Sequence, residues 1–370
     1  MKQNLKTIHL VAAARPNFMK IAPVYHALKA QNWAQPIIVH TGQHYDPNMC
    51  DAIFQDLNLP PPHYHLEVGS GSHAEQTGQV MIAYEKQIIN HNPDLVIVVG
   101  DVNSTLAASL AAVKLGKTVA HLEAGLRSFD RTMPEEINRI LTDQICHQLW
   151  TPSPDADANL LAEGIPQSRI CFVGNIMIDA FELSRSKIEK SNTVQKLRLE
   201  KKSFGIVTLH RPSNVDDFSS LEKITHTLLG ISKKIPLFFP VHPRTDKQLK
   251  QFQLYELLDK AQEITLSSPM PYIPFMNLVL HAKMVITDSG GIQEETTYLG
   301  IPCLTLRPNT ERPITISQGT NRLCAINNLE SAVNDVLKSS NSIQKRPDLW
   351  DGNTAERVIQ CIYSMLCISS

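Results

Sequence analysis

The stretch Val285-Ile286-Thr287-Asp288-Ser289-Gly290-Gly291-Ile292-Gln293-Glu294-Glu295 runs an apolar strand into a turn of small residues and then into a helix start. A short strand that is apolar throughout is covered on both faces, and a parallel sheet flanked by helices covers it that way. The same order recurs on either side. Strands are expected at 204–209, 236–241, 263–266, 283–287 and 302–306, separated by helical stretches. Upstream of a charged, strand-poor segment (182–202) lies a second series, with strands at 8–14, 36–41, 95–100, 118–122 and 171–173. Helices at 18–30, 72–90, 105–115 and 135–146 fall between these. The reading is α/β, with two Rossmann-like doubly wound domains facing across a cleft at the carboxyl ends of their strands. The domains are set at 1–174 and 175–352. An amphipathic final helix, within about 353–370, can pack back on the first.

Length and charge agree with two ordinary globular domains. The chain has 370 residues, 42% hydrophobic and 19% charged, and 35 Lys plus Arg against 36 Asp plus Glu. That balance excludes a broad nucleic-acid or anionic-membrane surface but leaves room for a local anion pocket. Apolar runs are too short to cross a bilayer, and the first one is broken by His9 and ends at Arg15-Pro16. A cytoplasmic location is expected. Seven cysteines, with no CxxC pair, read as reduced and buried thiols. No HExxH or Cys/His cluster points to a metal, and His63 and His65, after a Pro-Pro-Pro turn, read as a surface loop.

Residues delivered by strand ends are the candidates for chemistry. In the first half, strand 8–14 ends in Arg15-Pro16-Asn17-Phe18-Met19-Lys20. Arg15 and Lys20 suit a phosphate or planar base beside free helix N–H groups, and suit an ordinary solvated turn equally well. The absence of GxGxxG weighs against NAD binding. Strand 95–100 delivers Asp101, with Ser104 or Thr105 placed to cap the next helix, or Asp101 itself the cap. Strand 118–122 delivers Glu123, a poor capping residue, and Gly125 after it signals close backbone approach. Pro134-Glu135-Glu136-Ile137-Asn138-Arg139 opens a helix, its glutamates at the positive end. Glu135 and Arg139, four apart, are expected to present an acid and a cation on one face. Asp101, Glu123 and Glu135 on one rim would suit proton transfer, since crowded carboxylates push each other's pKa apart.

In the second half, strand 204–209 ends in His210-Arg211 and strand 236–241 in His242-Pro243-Arg244. Two His/Arg pairs at equivalent strand ends favour an anion site. The Asp288–Glu295 turn suits a phosphate cradle, in which backbone N–H groups and the Ser289 hydroxyl meet a diphosphate at a helix N-terminus, with a purely structural Gly-Gly turn as the alternative. Glu295, one turn in, can accept hydrogen bonds from a ribose diol. Arg312, in Thr310-Glu311-Arg312-Pro313, adds a cation.

Together these motifs resemble one family closely, the non-hydrolysing UDP-N-acetylglucosamine 2-epimerases, whose fold is glycosyltransferase-B-like. The match also takes in Thr41-Gly42-Gln43-His44, Gly100-Asp101, His121-Leu122-Glu123-Ala124-Gly125-Leu126-Arg127, Pro240-Val241-His242-Pro243 and Glu311-Arg312-Pro313. The resemblance implies reversible conversion of UDP-GlcNAc to UDP-ManNAc without a cofactor, feeding precursors of bacterial surface polysaccharide. It implies loss of the C2 proton with anti elimination of UDP, a 2-acetamidoglucal intermediate, and re-addition. Asp101, Glu123 and Glu135 match the family's acid–base carboxylates, with His210 as a further reacting group. Arg15, Lys20, Arg139, Phe275, Ser289, Gly290, Glu295 and Arg312 match substrate-binding positions, Phe275 lining the uracil pocket. Gln43, His44 and His242 match positions that hold a second, activating UDP-GlcNAc in some members. A homodimer is implied, with a UDP-sugar as partner.

Two departures concern the sugar. The family's usual Gly-Thr-Arg-Pro-Glu opening is Ala13-Ala14-Arg15-Pro16-Asn17 here. The segments 69–77 and 127–131 are similar to a branch that includes epimerases of modified sugars such as diacetamido uronic acids. The same chemistry on such a sugar is therefore an alternative. A UDP-sugar-dependent glycosyltransferase and a silent UDP-sugar-binding protein are the other readings; the three carboxylates favour the epimerase.

Overall fold

The computed structural model describes residues 5–42, 54–339 and 346–367. Two compact units divide the chain: Met1–Ser184 with Asp348–Ser370, and Arg185–Pro347. The first holds seven parallel strands: β1 (Lys6–Ala12), β2 (Ala34–His40), β3 (Tyr64–His65), β4 (Leu95–Val99), β5 (Val119–Leu122), β6 (Gln148–Thr151) and β7 (Ile170–Phe172). Their order is β3-β2-β1-β4-β5-β6-β7. All five residues of β4 are buried, as expected of a strand covered on both faces. Strand order reverses between β1 and β4, paired Ile8 to Leu95 through Val11 to Val98. A doubly wound sheet binds ligands beyond such a reversal.

The second unit repeats the plan with β8 (Gly205–Thr208), β9 (Leu237–Pro240), β10 (Ile264–Ser267), β11 (Met284–Thr287), β12 (Cys303–Thr305) and β13 (Asn321–Leu323), in the order β10-β9-β8-β11-β12-β13. Its reversal lies between β8 and β11.

The helices that position the candidate residues are α1 (Arg15–Lys29), α2 (His73–His91), α3 (Asn103–Lys114), α4 (Pro134–Ile145) and α5 (Ile176–Lys190). In the second unit they are α6 (Pro243–Gln251), α7 (Tyr272–His281) and α8 (Gly291–Leu299). The chain leaves the first unit after Ser184, within α5, and returns at Asp348. The closing helix α9 (Thr354–Cys367) packs on α1, with Tyr363 against Trp33 at 5.4 Å between ring centres. Its start is tied down where Asp179 accepts from Ala355 N at 2.7 Å and Arg357 donates to Val173 O at 2.9 Å.

Three expectations are corrected. His63 and His65 are both exposed and His63 lies just before the strand, as a surface loop requires, but Tyr64–His65 is edge strand β3; His63 Nδ1 accepts from Ile38 N at 3.0 Å, and His65 contacts His40 at 2.7 Å. Ser104 and Thr105 do not cap α3 but lie inside its first turn, the N-cap being Val102, and Thr105 donates to Val99 O at 3.0 Å. Burial of the thiols holds for Cys146, Cys303 and Cys324, whereas Cys171, Cys361 and Cys367 are half-buried. Cys50 lies outside the described residues.

Candidate active site

At the carboxyl ends of β4 and β5 the first unit gathers two carboxylates, each on its own buried cation. Glu123 pairs with Lys20, and both are 8% exposed. Glu123 has φ +75°, a left-handed conformation that costs a non-glycine residue roughly 1–3 kcal/mol and that a folded protein holds only where surrounding contacts impose it. Gly100, at φ +70°, leaves room for the pair: a Cβ there would stand 3.2 Å from Lys20 Nζ. Asn17 closes the same corner, accepting from Ala14 N at 3.0 Å and donating to Val99 O at 3.1 Å. This joins the β1–α1 turn to the end of β4.

Asp101 receives both Nε (3.0 Å) and a terminal nitrogen (2.7 Å) of Arg139 on one oxygen. The other terminal nitrogen of Arg139 reaches Glu136 at 2.6 Å. Buried Glu136 also accepts from Ser128 N at 2.9 Å and Phe129 N at 2.8 Å, fixing the loop before α4. The expected Glu135–Arg139 presentation is thus replaced by Arg139 clamped between Asp101 and Glu136. Glu135 is half-buried and its side chain makes no hydrogen bond or ion pair among the described residues, and the same holds for the Arg15 side chain at the start of α1.

Beneath these turns lies a buried network. His121 faces Asp143 at 2.6 Å and Gly100 O at 2.8 Å; Asp143 also takes Arg127 at 2.8 Å, and Arg127 forks onto Glu163 at 2.7 Å. Burial works to raise the Asp143 carboxyl, but His121 and Arg127 hold it below the usual carboxylate range.

In the second unit, Asp288 ends β11 and is fully buried. It accepts from His210 N at 3.0 Å, Arg211 N at 2.9 Å and Asn214 Nδ2 at 3.0 Å, closing the sheet reversal. His210 Nδ1 lies 2.9 Å from the same carboxylate while its side chain stays 38% exposed, so Nε2 is the nitrogen left for a ligand. Burial opposes ionisation of Asp288, yet His210 and these donors lower its pKa. The His242 ring centre is 5.5 Å from that of His210, and burial followed by His210's charge pushes His242 toward the neutral form. A neutral Nδ1 is what accepting from Arg244 N at 3.2 Å requires, so His242 caps α6. Arg244 itself pairs with Asp216.

No side chain caps α8, whose N-cap is Gly290, so its first N–H groups are open to an anion. Ser289 and Gly290 are half-buried at this turn. Arg312 stands beside it, held by Glu294 at 2.8 Å and Glu311 at 2.8 Å, and Arg307 neutralises the other oxygen of Glu311 at 2.8 Å. Burial would raise Glu311, but Arg312 and Arg307 drive it far below its ordinary value. Glu295 accepts from the Tyr272 hydroxyl at 2.8 Å, and Phe275 is half-buried on the same α7. Gln43 and His44 lie outside the described residues. No three His, Cys, Asp or Glu side chains gather as a metal-binding group among the described residues.

This geometry meets a family model described as UDP-N-acetylglucosamine 2-epimerase, which matches residues 26–363. The chain belongs to that family. It is 41% identical to the UDP-N-acetylglucosamine 2-epimerase of Methanocaldococcus jannaschii over 96% of this chain and 98% of the relative. The crystal structure of that enzyme in complex with UDP-GlcNAc and UDP superposes with a TM-score of 0.88, covering 96% of this chain and 99% of its own. A UDP-2,3-diacetamido-2,3-dideoxy-D-glucuronate 2-epimerase of Pseudomonas aeruginosa is 37% identical over 93% of this chain and 96% of the relative. A glycosyltransferase structure, the glycotransferase of kitacinnamycin, shares the fold alone, at 12% identity and a TM-score of 0.59 over 98% of this chain and 99% of that one. The two doubly wound sheets are glycosyltransferase-B-like.

Within this epimerase family framework, residues that carry the site's geometry had no assigned role in the sequence. Asp288 and Asn214 were visible only as parts of motifs, although an Asp between an apolar strand and a Gly-Gly turn is a signal that it closes the turn. Asn17, Glu136 and Asp143 gave weaker signals, because their partners are 82, 8 and 22 residues away in sequence.

Proposed function

We propose that the protein interconverts UDP-GlcNAc and UDP-ManNAc by removing the C2 proton, eliminating UDP anti to it to give 2-acetamidoglucal, and adding UDP back after reprotonation on the opposite face. The observation that carries the chemistry is the pair of strand-end carboxylates, Asp101 on Arg139 and Glu123 on Lys20. A buried cation fixes each carboxylate in place at its strand end, as a group that moves a proton must be. Glu135, whose side chain has no partner among the described residues, is the third proton carrier. Removing a proton from a carbon bearing an amide nitrogen is difficult, so departure of UDP supplies much of the driving force. The open N–H groups of α8, Ser289, His210 Nε2, Arg15 and Arg312 stabilise charge on the leaving diphosphate. Arg312 then exchanges Glu294 or Glu311 for phosphate oxygens, and Lys20 can do likewise from Glu123. Glu295 and Phe275 hold the ribose and uracil.

The identity to the P. aeruginosa relative and the 69–77 and 127–131 segments favour a second reading, the same chemistry on a diacetamido uronate. Purified protein incubated separately with UDP-GlcNAc and UDP-2,3-diacetamido-2,3-dideoxy-D-glucuronate, and followed by proton NMR, separates them. Conversion of the first to UDP-ManNAc is expected; turnover of the uronate alone would replace the substrate and keep the mechanism. UDP release only in the presence of an acceptor would replace both with a glycosyltransferase.

The reading includes a homodimer in the cytoplasm. Ile82 and Ile89 of α2 (60% and 64% exposed) and Ile137 and Leu141 of α4 leave apolar surface for a second copy, and sedimentation velocity checks it. Among the described residues no helix is long and apolar enough to cross a membrane. Activation by a second UDP-GlcNAc near His242 is part of the same proposal. A hyperbolic UDP-ManNAc rate curve, unchanged by added UDP-GlcNAc, would remove it.

A further inference from the structure

Cys171 in β7 and Cys361 in α9 bring their sulfur atoms to 3.1 Å across 190 residues of sequence. Both are half-buried, unlike Cys146, Cys303 and Cys324, whose surroundings seal them from solvent. Closing the gap to a bond of about 2.05 Å needs roughly 1 Å of sulfur movement, within reach of small side-chain rotations. We propose that Cys171 and Cys361 are an oxidation site at which a hydroperoxide forms a disulfide fastening the C-terminal helix to β7.

The two sulfurs have different parts. A hydrogen bond from the Cys361 thiol, against the opposing effect of burial, brings Cys171 down to about 7, and the same contact drives Cys361 up. Cys171 is then the sulfur that ionises near neutral pH and Cys361 the resolving thiol. The Cys171 thiolate attacks one peroxide oxygen, breaking the O–O bond and leaving a sulfenic acid and a hydroxide, which takes up a proton as water. The Cys361 sulfur attacks the Cys171 sulfur, the S–O bond breaks, and the departing hydroxide leaves with the Cys361 proton as a second water. Two thiols and one hydrogen peroxide give one disulfide and two waters; both sulfurs are oxidised and the peroxide oxygens reduced.

Placement gives the bond its consequence. The chain leaves the first unit after Ser184 and re-enters at Asp348, so a Cys171–Cys361 bond encloses the whole second unit in one covalent ring. Without it, the returning segment is held by non-covalent contacts, including Ala355 to Asp179, Arg357 to Val173 and Trp350 Nε1 to Pro152 O at 3.0 Å. Cross-linking so long a loop restricts the unfolded chain, so the oxidised protein should unfold at a higher temperature.

The experiment treats full-length protein with stoichiometric hydrogen peroxide, blocks remaining thiols with iodoacetamide, and combines peptide mapping with thermal unfolding. Expected are a linked peptide containing Cys171 and Cys361, an unfolding midpoint raised by several degrees, and return of both to the starting state with dithiothreitol. Cys361→Ser should leave Cys171 as a sulfenic acid trapped by dimedone, with no rise in midpoint. Mapping on the unaltered protein stands even where a cysteine variant folds poorly. Full alkylation of Cys171 and Cys361 after peroxide, Cys171 linked elsewhere, or a linked peptide with an unshifted midpoint would each overturn the proposal.

Discussion

His121 and Asp143 meet at 2.6 Å, and each also holds one of the two turns that carry the strand-end carboxylates. His121 Nε2 donates to Gly100 O at 2.8 Å, immediately before Asp101. Asp143 accepts from Gly125 N at 3.1 Å, two residues after Glu123. Both ring nitrogens of His121 face oxygen atoms, one on each turn. One buried pair therefore sets the spacing of two turns that lie on different strands.

Asp143→Asn removes the carboxylate that His121 and Arg127 share and leaves Arg127 with Glu163 alone. Breaking a buried pair from one side costs about 3–5 kcal/mol, and urea denaturation should show a loss of that size. Folded enzyme should turn over roughly 10- to 100-fold more slowly with little change in KM, since the carboxylates shift while the nucleotide site stays intact. Full kcat in a destabilised variant would make the pair a stability element only.

Arg139→Lys keeps the charge but loses the fork that holds Asp101 and Glu136 together. The expected outcome is at least about tenfold slower exchange at C2, with UDP affinity measured by calorimetry within about twofold of the parent. Equal losses in both would mean that Arg139 touches the nucleotide directly.

Gly290→Ala tests the diphosphate cradle by volume. Its Cβ would stand 2.7 Å from Glu311 Oε1 and 3.1 Å from Arg312, so Glu311 must move or the turn must open. UDP binding should weaken by about tenfold, or about 1.4 kcal/mol, with the unfolding midpoint nearly unchanged. Unaltered UDP affinity would place the diphosphate elsewhere.

Much of this was legible in sequence, and the failures share a cause. Apolar runs such as Leu95–Val99 and Met284–Thr287 declare themselves as buried strands because every position faces protein. Gln148–Thr151 and Asn321–Leu323 do not, since polar residues break the run in strands only three or four residues long. The same holds at the site. Asp101, Glu123 and His210 follow directly from strand ends, whereas the partners that fix them arrive from other elements. Nothing local to Arg139 says that it reaches back 38 residues to Asp101, and its spacing from Glu135 suggested the wrong acid.

Asp179 gives a pH signature. Burial, only partly offset by hydrogen bonds from Ala355 and Thr354, raises its pKa to about 6 in the folded protein. Between about pH 4 and 6 the folded state binds a proton that the unfolded chain has released, so this group favours folding at the acid end and loses that contribution as pH rises through 6. Asp179→Asn still accepts from Ala355 N but cannot titrate. Its stability relative to the parent should therefore rise from pH 4 to 6 by an amount on the order of 2–3 kcal/mol and level off above. A difference independent of pH in urea denaturation would show that Asp179 is ionised throughout.

The central claim is that the carboxylates move the C2 proton, and exchange with solvent reports it directly. UDP-GlcNAc incubated with the protein in D2O should return as UDP-GlcNAc and UDP-ManNAc, both carrying deuterium at C2, while Asp101→Asn binds UDP and exchanges nothing. Recovery of sugar nucleotide with protium still at C2, from protein that binds UDP and from every UDP-sugar offered, would contradict the account.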